Sequence, residues 1–140
     1  ANSMLSSGLF FAGANEYWCN DSFQIEKGKD DGILRAAEIA NIDLSGCSLV
    51  VLSACETGLG FSDSSEGVYG LQRAFKLAGA KNILMSLWEV DDRATTILMT
   101  NFYRNLLLGK DANTALEISK QAVRAQYPSP RDWGAFVLLN

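Results

Sequence analysis

The chain has no histidine, no long apolar run and no concentration of positive charge. Its three cysteines form no Cys-x-x-Cys pair, and without histidine they cannot complete a zinc site. We therefore expect neither a disulfide framework nor a metal, and no cofactor. The apolar stretches fall far short of the about 20 residues that a membrane span requires. No secretory signal pattern opens the chain, so we expect a cytoplasmic protein that does not enter a membrane.

Charge and composition limit the possible partners and the type of fold. The 12 lysines and arginines are scattered singly among 16 acidic residues, for a formal charge of −4. Without a basic stripe to neutralise phosphates, nucleic acid is not expected as a direct partner. An apolar content of 48% over 140 residues is typical of one globular domain with a real core.

The first half of the chain predicts short apolar elements around one polar insertion. Residues 7–12 are interpreted as a short strand, and residues 16–31 as a surface loop or insertion. Residues 33–40 have helical spacing. Residues 48–54 form a nearly continuous apolar, β-branched run, which is typical of a strand buried on both faces of a parallel sheet.

The second half alternates helices and strands. A helix starting near Asp63 ends at Gly79, and residues 82–88 form a second buried strand. Either Asp91 or Asp92 caps a helix that reaches about Leu108, where Gly109 ends it. A further helix over residues 113–126 and a strand over residues 133–139 complete the pattern. The apolar side of the helix over residues 113–126 is predicted to contain Ala115, Ile118, Ala122 and Ala125.

This alternation predicts an α/β fold, with helices on both faces of a mostly parallel sheet in a three-layer α/β/α sandwich. Only four strand candidates are visible, and a central parallel strand needs neighbours on both sides. We therefore expect residues 1–140 to be a single domain that is incomplete at its N-terminal side, with further strands before Ala1.

Reactive side chains follow both predicted buried strands. Cys55 ends the first, and the glycine-bearing loop after it, which includes Gly58, lets a substrate backbone approach. Asp91 and Asp92 follow the second. If the strands are neighbours, their carboxyl ends lie about 5 Å apart, so a nucleophile and a carboxylate can share one cleft. The simpler alternatives are a buried free cysteine and acidic residues that only cap a helix.

Three segments resemble one family. They are Ser-Ala-Cys-Glu-Thr-Gly at residues 53–58 with the apolar run before it, residues 65–80, and Leu-Trp-Glu-Val-Asp-Asp-Arg-Ala-Thr at residues 87–95. Together they resemble CHAT domains, which are caspase-like cysteine peptidase domains related to separase and often fused to tetratricopeptide repeats. The resemblance covers nearly the whole chain except the loop at residues 16–31.

The resemblance implies a Cys-His dyad with Cys55 as the nucleophile. The family's histidine comes from a His-Gly pair at the end of an earlier strand, whereas these 140 residues contain none. An unassisted thiol is only a few per cent ionised at neutral pH, so the chain alone is expected to be inert. The resemblance also implies an oxyanion hole shared between the Cys55 N–H and the glycine of that pair.

The comparison with separase implies that Asp92 in particular binds the basic residue of the substrate, Arg or Lys. We expect Asp91, Ala54, Gly58 and Trp88 to line the same substrate-binding cleft. Glu56 is included there as a residue that holds loop N–H groups, because a carboxylate beside a thiol disfavours the thiolate. The implied partners are a protein or peptide substrate and tetratricopeptide repeats in the same or another chain.

Two other functions compete with the peptidase. A nucleotide site fits poorly, because Gly58-Leu-Gly60 lacks a third glycine at position 63 and no Gly-Lys-Ser/Thr follows. A non-catalytic interaction scaffold with the same fold is favoured by the absence of histidine. It is disfavoured by the presence of both Cys55 and the acidic pair.

Overall fold

The structure is a computed structural model that describes residues 7–12, 14, 31–52 and 66–140. Within those residues the chain forms five strands and five helices. They are β1 (Gly8–Phe10), β2 (Ile33–Arg35), α1 (Ala36–Ile39), β3 (Leu49–Leu52), α2 (Glu66–Leu77), β4 (Asn82–Ser86), α3 (Asp92–Leu107), α4 (Ala112–Gln126), α5 (Pro130–Trp133) and β5 (Phe136–Leu139). The architecture is therefore mixed α/β, as the sequence predicts.

The main described sheet has the order β3-β4-β5. β3 and β4 are parallel, with Leu49 opposite Asn82 and Leu52 opposite Met85. β5 pairs antiparallel with β4, with Ser86 opposite Phe136. Among the described strands the expectation of mostly parallel pairing therefore holds only for β3 and β4, and the sheet is mixed.

The direction of β5 follows from the two long helices, α3 and α4, among the three that lie between β4 and β5. α3 carries the chain away from the carboxyl end of β4, and the short turn around Gly109, at a φ of 82°, leads directly into α4. Helices joined by so short a turn run antiparallel, so α4 returns the chain to the edge where β4 ends. β5 must then run back along β4, whereas one helix per crossover would have made it parallel.

The helix predicted over residues 33–40 is wrong in its first part. Ile33–Arg35 is strand β2, which pairs antiparallel with β1 so that Gly8 lies opposite Arg35. Only Ala36–Ile39 is helical. A side chain at position 8 would lie 2.9 Å from the Leu34 carbonyl oxygen, so glycine permits the close approach of the two strands. The predicted loop at residues 16–31 lies outside the described residues except for Asp31.

Alternate residues of the main sheet pack into two separate hydrophobic clusters. Ile83 and Met85 belong to the first, with side chains of α1 and α2, and Leu84 belongs to the second, with side chains of α3 and α4. Phe102 of α3 is fully buried in the second cluster. Helices thus supply apolar side chains to both clusters, which is why the strands are apolar without alternation.

Among the four residues predicted for the buried side of helix α4, only Ala115 is fully buried. Its buried residues are Ala115, Leu116, Ser119 and Val123. Ala125 is exposed, and Ile118 and Ala122 are half-buried. Because alanines occur on several sides of this helix, the sequence pattern does not single out one apolar face. Contact with α3 determines which side is buried.

The last strand begins later than predicted. Trp133 belongs to α5, in which Pro130 occupies the first turn and the Ser129 hydroxyl accepts from Arg131 N at 3.3 Å. Pro128-Ser-Pro130 therefore both ends α4 and starts a new helix. In the described part of the chain, none of the helices combines the length and the apolar character needed to cross a membrane.

Candidate active site

Three strand ends meet at one edge of the main sheet. Because β3 and β4 are parallel and Leu52 lies opposite Met85, both strands end at this edge. β5 starts there, since Phe136 lies opposite Ser86. In open α/β sheets, ligands bind beyond the carboxyl ends of parallel strands. We call this the carboxyl edge.

Cys55 follows β3 by three residues in the chain, after the buried Leu52. Like the neighbouring Ala54, Glu56 and Gly58, it lies outside the described residues. Their proposed parts in nucleophilic attack and substrate binding therefore stay predictions.

Asp91 caps helix α3. Its carboxylate accepts from the backbone N–H groups of Arg93 at 2.9 Å and Ala94 at 3.2 Å. These are two of the donors that a helix start leaves without an intrahelical partner. Of the two candidate caps that the sequence left open, Asp91 is the one used.

Asp92 is the first residue of α3 and is exposed. Its carbonyl oxygen accepts from Thr96 Oγ1 at 2.7 Å, as part of the helix. Across the described stretches of the chain, its carboxylate makes no hydrogen bond or ion pair. Among the described residues the Asp92 carboxylate therefore has no partner, whereas that of Asp91 accepts two backbone N–H groups.

Trp88 lies between β4 and this acidic pair. Its indole is half-buried, packs against the second cluster, and donates from Nε1 to the Arg131 carbonyl oxygen at 2.8 Å. A second bond, from Leu87 N to the Ala135 carbonyl oxygen at 2.9 Å, continues the contact with the chain entering β5. Trp88 therefore contributes to the structure at the carboxyl edge, and a role in substrate contact stays a prediction.

Helix α5 is the part of this edge that sequence reasoning missed. Arg131 and Asp132 lie on it, beside the start of β5. A readable signal was present, since serine followed by proline is a common helix start. The contact of α5 with Trp88, 43 residues earlier in the chain, leaves no local pattern.

Two of the carboxyl groups whose pKa is lowered, Asp43 and Asp111, lie away from the carboxyl edge, before β3 and between α3 and α4. The pKa of Asp43 is lowered by hydrogen bonds from the Ser45 side chain and backbone. The pKa of Asp111, the cap of α4, is lowered by hydrogen bonds from the Thr114 side chain and backbone. Both are exposed structural groups. Within the residues that the structure describes, no three cysteine or acidic side chains are grouped closely enough to hold a metal ion.

Comparisons with known proteins agree with the motifs. The model of the family described as CHAT domain matches residues 1–140. Tetratricopeptide repeat protein 28 from mouse and from human are each 33% identical over 110 residues, which is 77% of this chain. The matched region is only 4% of either relative's length, so the chain spans a small part of each.

Proposed function

Since the chain belongs to the CHAT domain family, we propose that it is the nucleophile-bearing part of a caspase-like cysteine endopeptidase domain. The observation that carries this proposal is the parallel pairing of β3 with β4, which brings both strand ends to one edge. Cys55 follows the first strand in sequence and Asp92 follows the second. This arrangement supports one cleft with a sulfur nucleophile and a carboxylate.

In the proposed reaction, the Cys55 thiolate attacks the carbonyl carbon of the scissile peptide bond. The amine leaves with a proton, and water then hydrolyses the thioester that remains. The proton acceptor is a histidine of the full-length protein outside these 140 residues. The Cys55 N–H supplies half of the oxyanion hole, and a glycine beside that histidine supplies the other half.

Asp92 is proposed to bind the basic side chain that precedes the cut bond. Support comes from the contrast with Asp91, whose carboxylate already accepts two backbone N–H groups. A guanidinium can pair with a free carboxylate through two parallel charge-assisted bonds. Ala54, Glu56, Gly58 and Trp88 are proposed to form the rest of the cleft around the substrate.

We further propose that the complete domain is a three-layer α/β/α sandwich with additional strands beside β3. The two clusters on alternate sides of β3, β4 and β5 support this architecture. The name of the relatives supports tetratricopeptide repeats as regulatory partners, in the same chain or another. We also propose a cytoplasmic location.

The test is peptide cleavage by the full-length protein. We expect faster hydrolysis of fluorogenic peptides ending in arginine than of matched peptides ending in aspartate. Cys55→Ala should abolish turnover and leave thermal unfolding nearly unchanged, because a single cleft thiol contributes little packing. Cys47→Ala is the matched control and should retain activity. Faster cleavage after aspartate would refute the assignment of Asp92, and turnover by Cys55→Ala would refute the nucleophile.

The absence of histidine from all 140 residues favours a second candidate, a catalytically inert interaction scaffold. It predicts no cleavage of any peptide by the full-length protein. It also predicts that Cys55→Ala leaves partner binding unchanged in a pull-down with the tetratricopeptide repeats of the same protein. Cys55-dependent turnover would eliminate this candidate.

A further inference from the structure

The segment that leads from β4 to Asp92 is attached to helix α5. Trp88 Nε1 donates to the Arg131 carbonyl oxygen at 2.8 Å, and Leu87 N donates to the Ala135 carbonyl oxygen at 2.9 Å. The first bond comes from a side chain and the second from the backbone. Two adjacent residues after β4 are therefore held by residues on either side of the turn that joins α5 to β5.

Gly134 makes this attachment possible. Its N–H donates to the Pro130 carbonyl oxygen at 2.8 Å. A Cβ at position 134 would lie 2.7 Å from that same oxygen and 3.8 Å from Trp88 Cζ2. Its φ of −82° suits any residue, so space rather than backbone conformation requires glycine here. An alanine would force α5 to shift relative to Trp88.

The other end of the segment is anchored in the core. Val90 and Ala94 are buried in the second cluster, and Asp91 holds the first turn of α3. Asp92 lies between these anchors, is exposed and has no described partner for its carboxylate. Only three residues separate Trp88 from the first turn of α3. A displacement of Trp88 is therefore expected to displace Asp92 as well.

We propose that Trp88, held by α5, is a positioning residue that sets where the Asp92 carboxylate meets the basic side chain of a peptide substrate. This inference rests on the proposed peptidase function and deepens it. Trp88 acts through Asp92 and not on the reacting atoms. The specificity for a basic residue then depends on contacts between the segment after β4 and the region of α5. These two parts of the protein are far apart in the chain.

The experiment compares Gly134→Ala and Trp88→Phe with Gly46→Ala in the full-length protein. Gly46 is the matched control, because a Cβ there meets nothing within 4 Å. Trp88→Phe keeps an aromatic ring but removes the N–H donor together with part of the indole, so it serves as the second test variant if Gly134→Ala folds poorly. Amide hydrogen exchange should show faster exchange in peptides covering residues 87–95 for both test variants, and no change for Gly46→Ala.

The kinetic measurement uses peptides ending in arginine and in citrulline, its uncharged analogue. We expect both test variants to raise KM for the arginine peptide about tenfold with a smaller change in kcat. The preference for arginine over citrulline should fall by a similar factor. If α5 had only a structural role, the two test variants would lower thermal stability and leave the preference for arginine over citrulline intact.

The outcomes separate the two proposals. If the wild-type protein cleaves neither peptide, the proposed function fails, and the exchange data alone decide whether α5 holds residues 87–95. Unchanged exchange in that segment, or an unchanged arginine preference in an active variant, would overturn the positioning role of Trp88.

Discussion

The two adjacent aspartates at the start of α3 should respond to the same substitutions in different ways. Asp91 accepts two backbone N–H bonds, whereas the Asp92 carboxylate has no partner among the described residues. Asparagine caps a helix about as well as aspartate, while alanine does not cap. Asp91→Ala should therefore destabilise the chain more than Asp91→Asn, and the two corresponding variants of Asp92 should resemble each other.

The expected magnitudes follow from helix-end energetics. Loss of a capping side chain costs about 0.5–2 kcal/mol, so we expect about 1 kcal/mol for Asp91→Ala. A carboxylate in the first turn contributes about 0.3–1 kcal/mol through the helix dipole, and its exposed position favours the lower end for both Asp92 variants. With a urea dependence of about 2 kcal/mol per molar, Asp91→Ala should lower the urea midpoint by about 0.5 M.

Urea unfolding followed by far-ultraviolet circular dichroism measures all four variants on one scale. Equal midpoints for Asp91→Ala and Asp91→Asn would show that Asp91 does not act as a cap. A larger loss for Asp92→Ala than for Asp92→Asn would show that the Asp92 side chain accepts structural hydrogen bonds. Either result would remove the structural support for assigning the substrate's basic residue to Asp92.

Two further predictions concern the core and the cap of α4. Phe102→Ala should lower the free energy of unfolding by about 3–5 kcal/mol in urea titrations, whereas Leu107→Ala, at 88% exposure, should change it by less than about 0.5 kcal/mol. Because the Thr114 hydroxyl and N–H lower the pKa of Asp111 in the folded chain, its contribution to stability is present above the unfolded value of 3.8. It is lost as the pH falls through the lower folded pKa. Asp111→Asn should therefore lose less stability than the wild type between pH 6 and pH 3, and an equal loss would contradict this assignment.

Local signals located several elements correctly. Gly79 and Gly109 have φ values of 103° and 82°, as expected for residues that end helices. The apolar runs of β3 and β4 became neighbouring parallel strands. These predictions succeeded because each depends on the conformational preferences of a few consecutive residues or on burial of a whole strand.

Predictions failed where the pairing of one secondary-structure element with another decided the outcome. Ile33–Arg35 has helical spacing toward the alanines that follow, but β1 supplies a strand partner. β5 runs antiparallel because α3 and α4 form a helical pair. β1 and β2 lie far apart in the chain, whereas α3 and α4 follow one another, so the direction of β5 was missed although both helices were visible in the sequence.

The family, the nucleophile candidate Cys55 and the acidic pair after a buried strand were all readable from the amino-acid sequence, because each is carried by a short run of residues. Packing of the chain was needed to show that Asp91 caps α3 while the Asp92 carboxylate has no partner among the described residues, and that Trp88 is held by α5 from 43 residues away. Hydrogen-bond partners are chosen by distance in space, and distance in space is set only when helices and strands pack together.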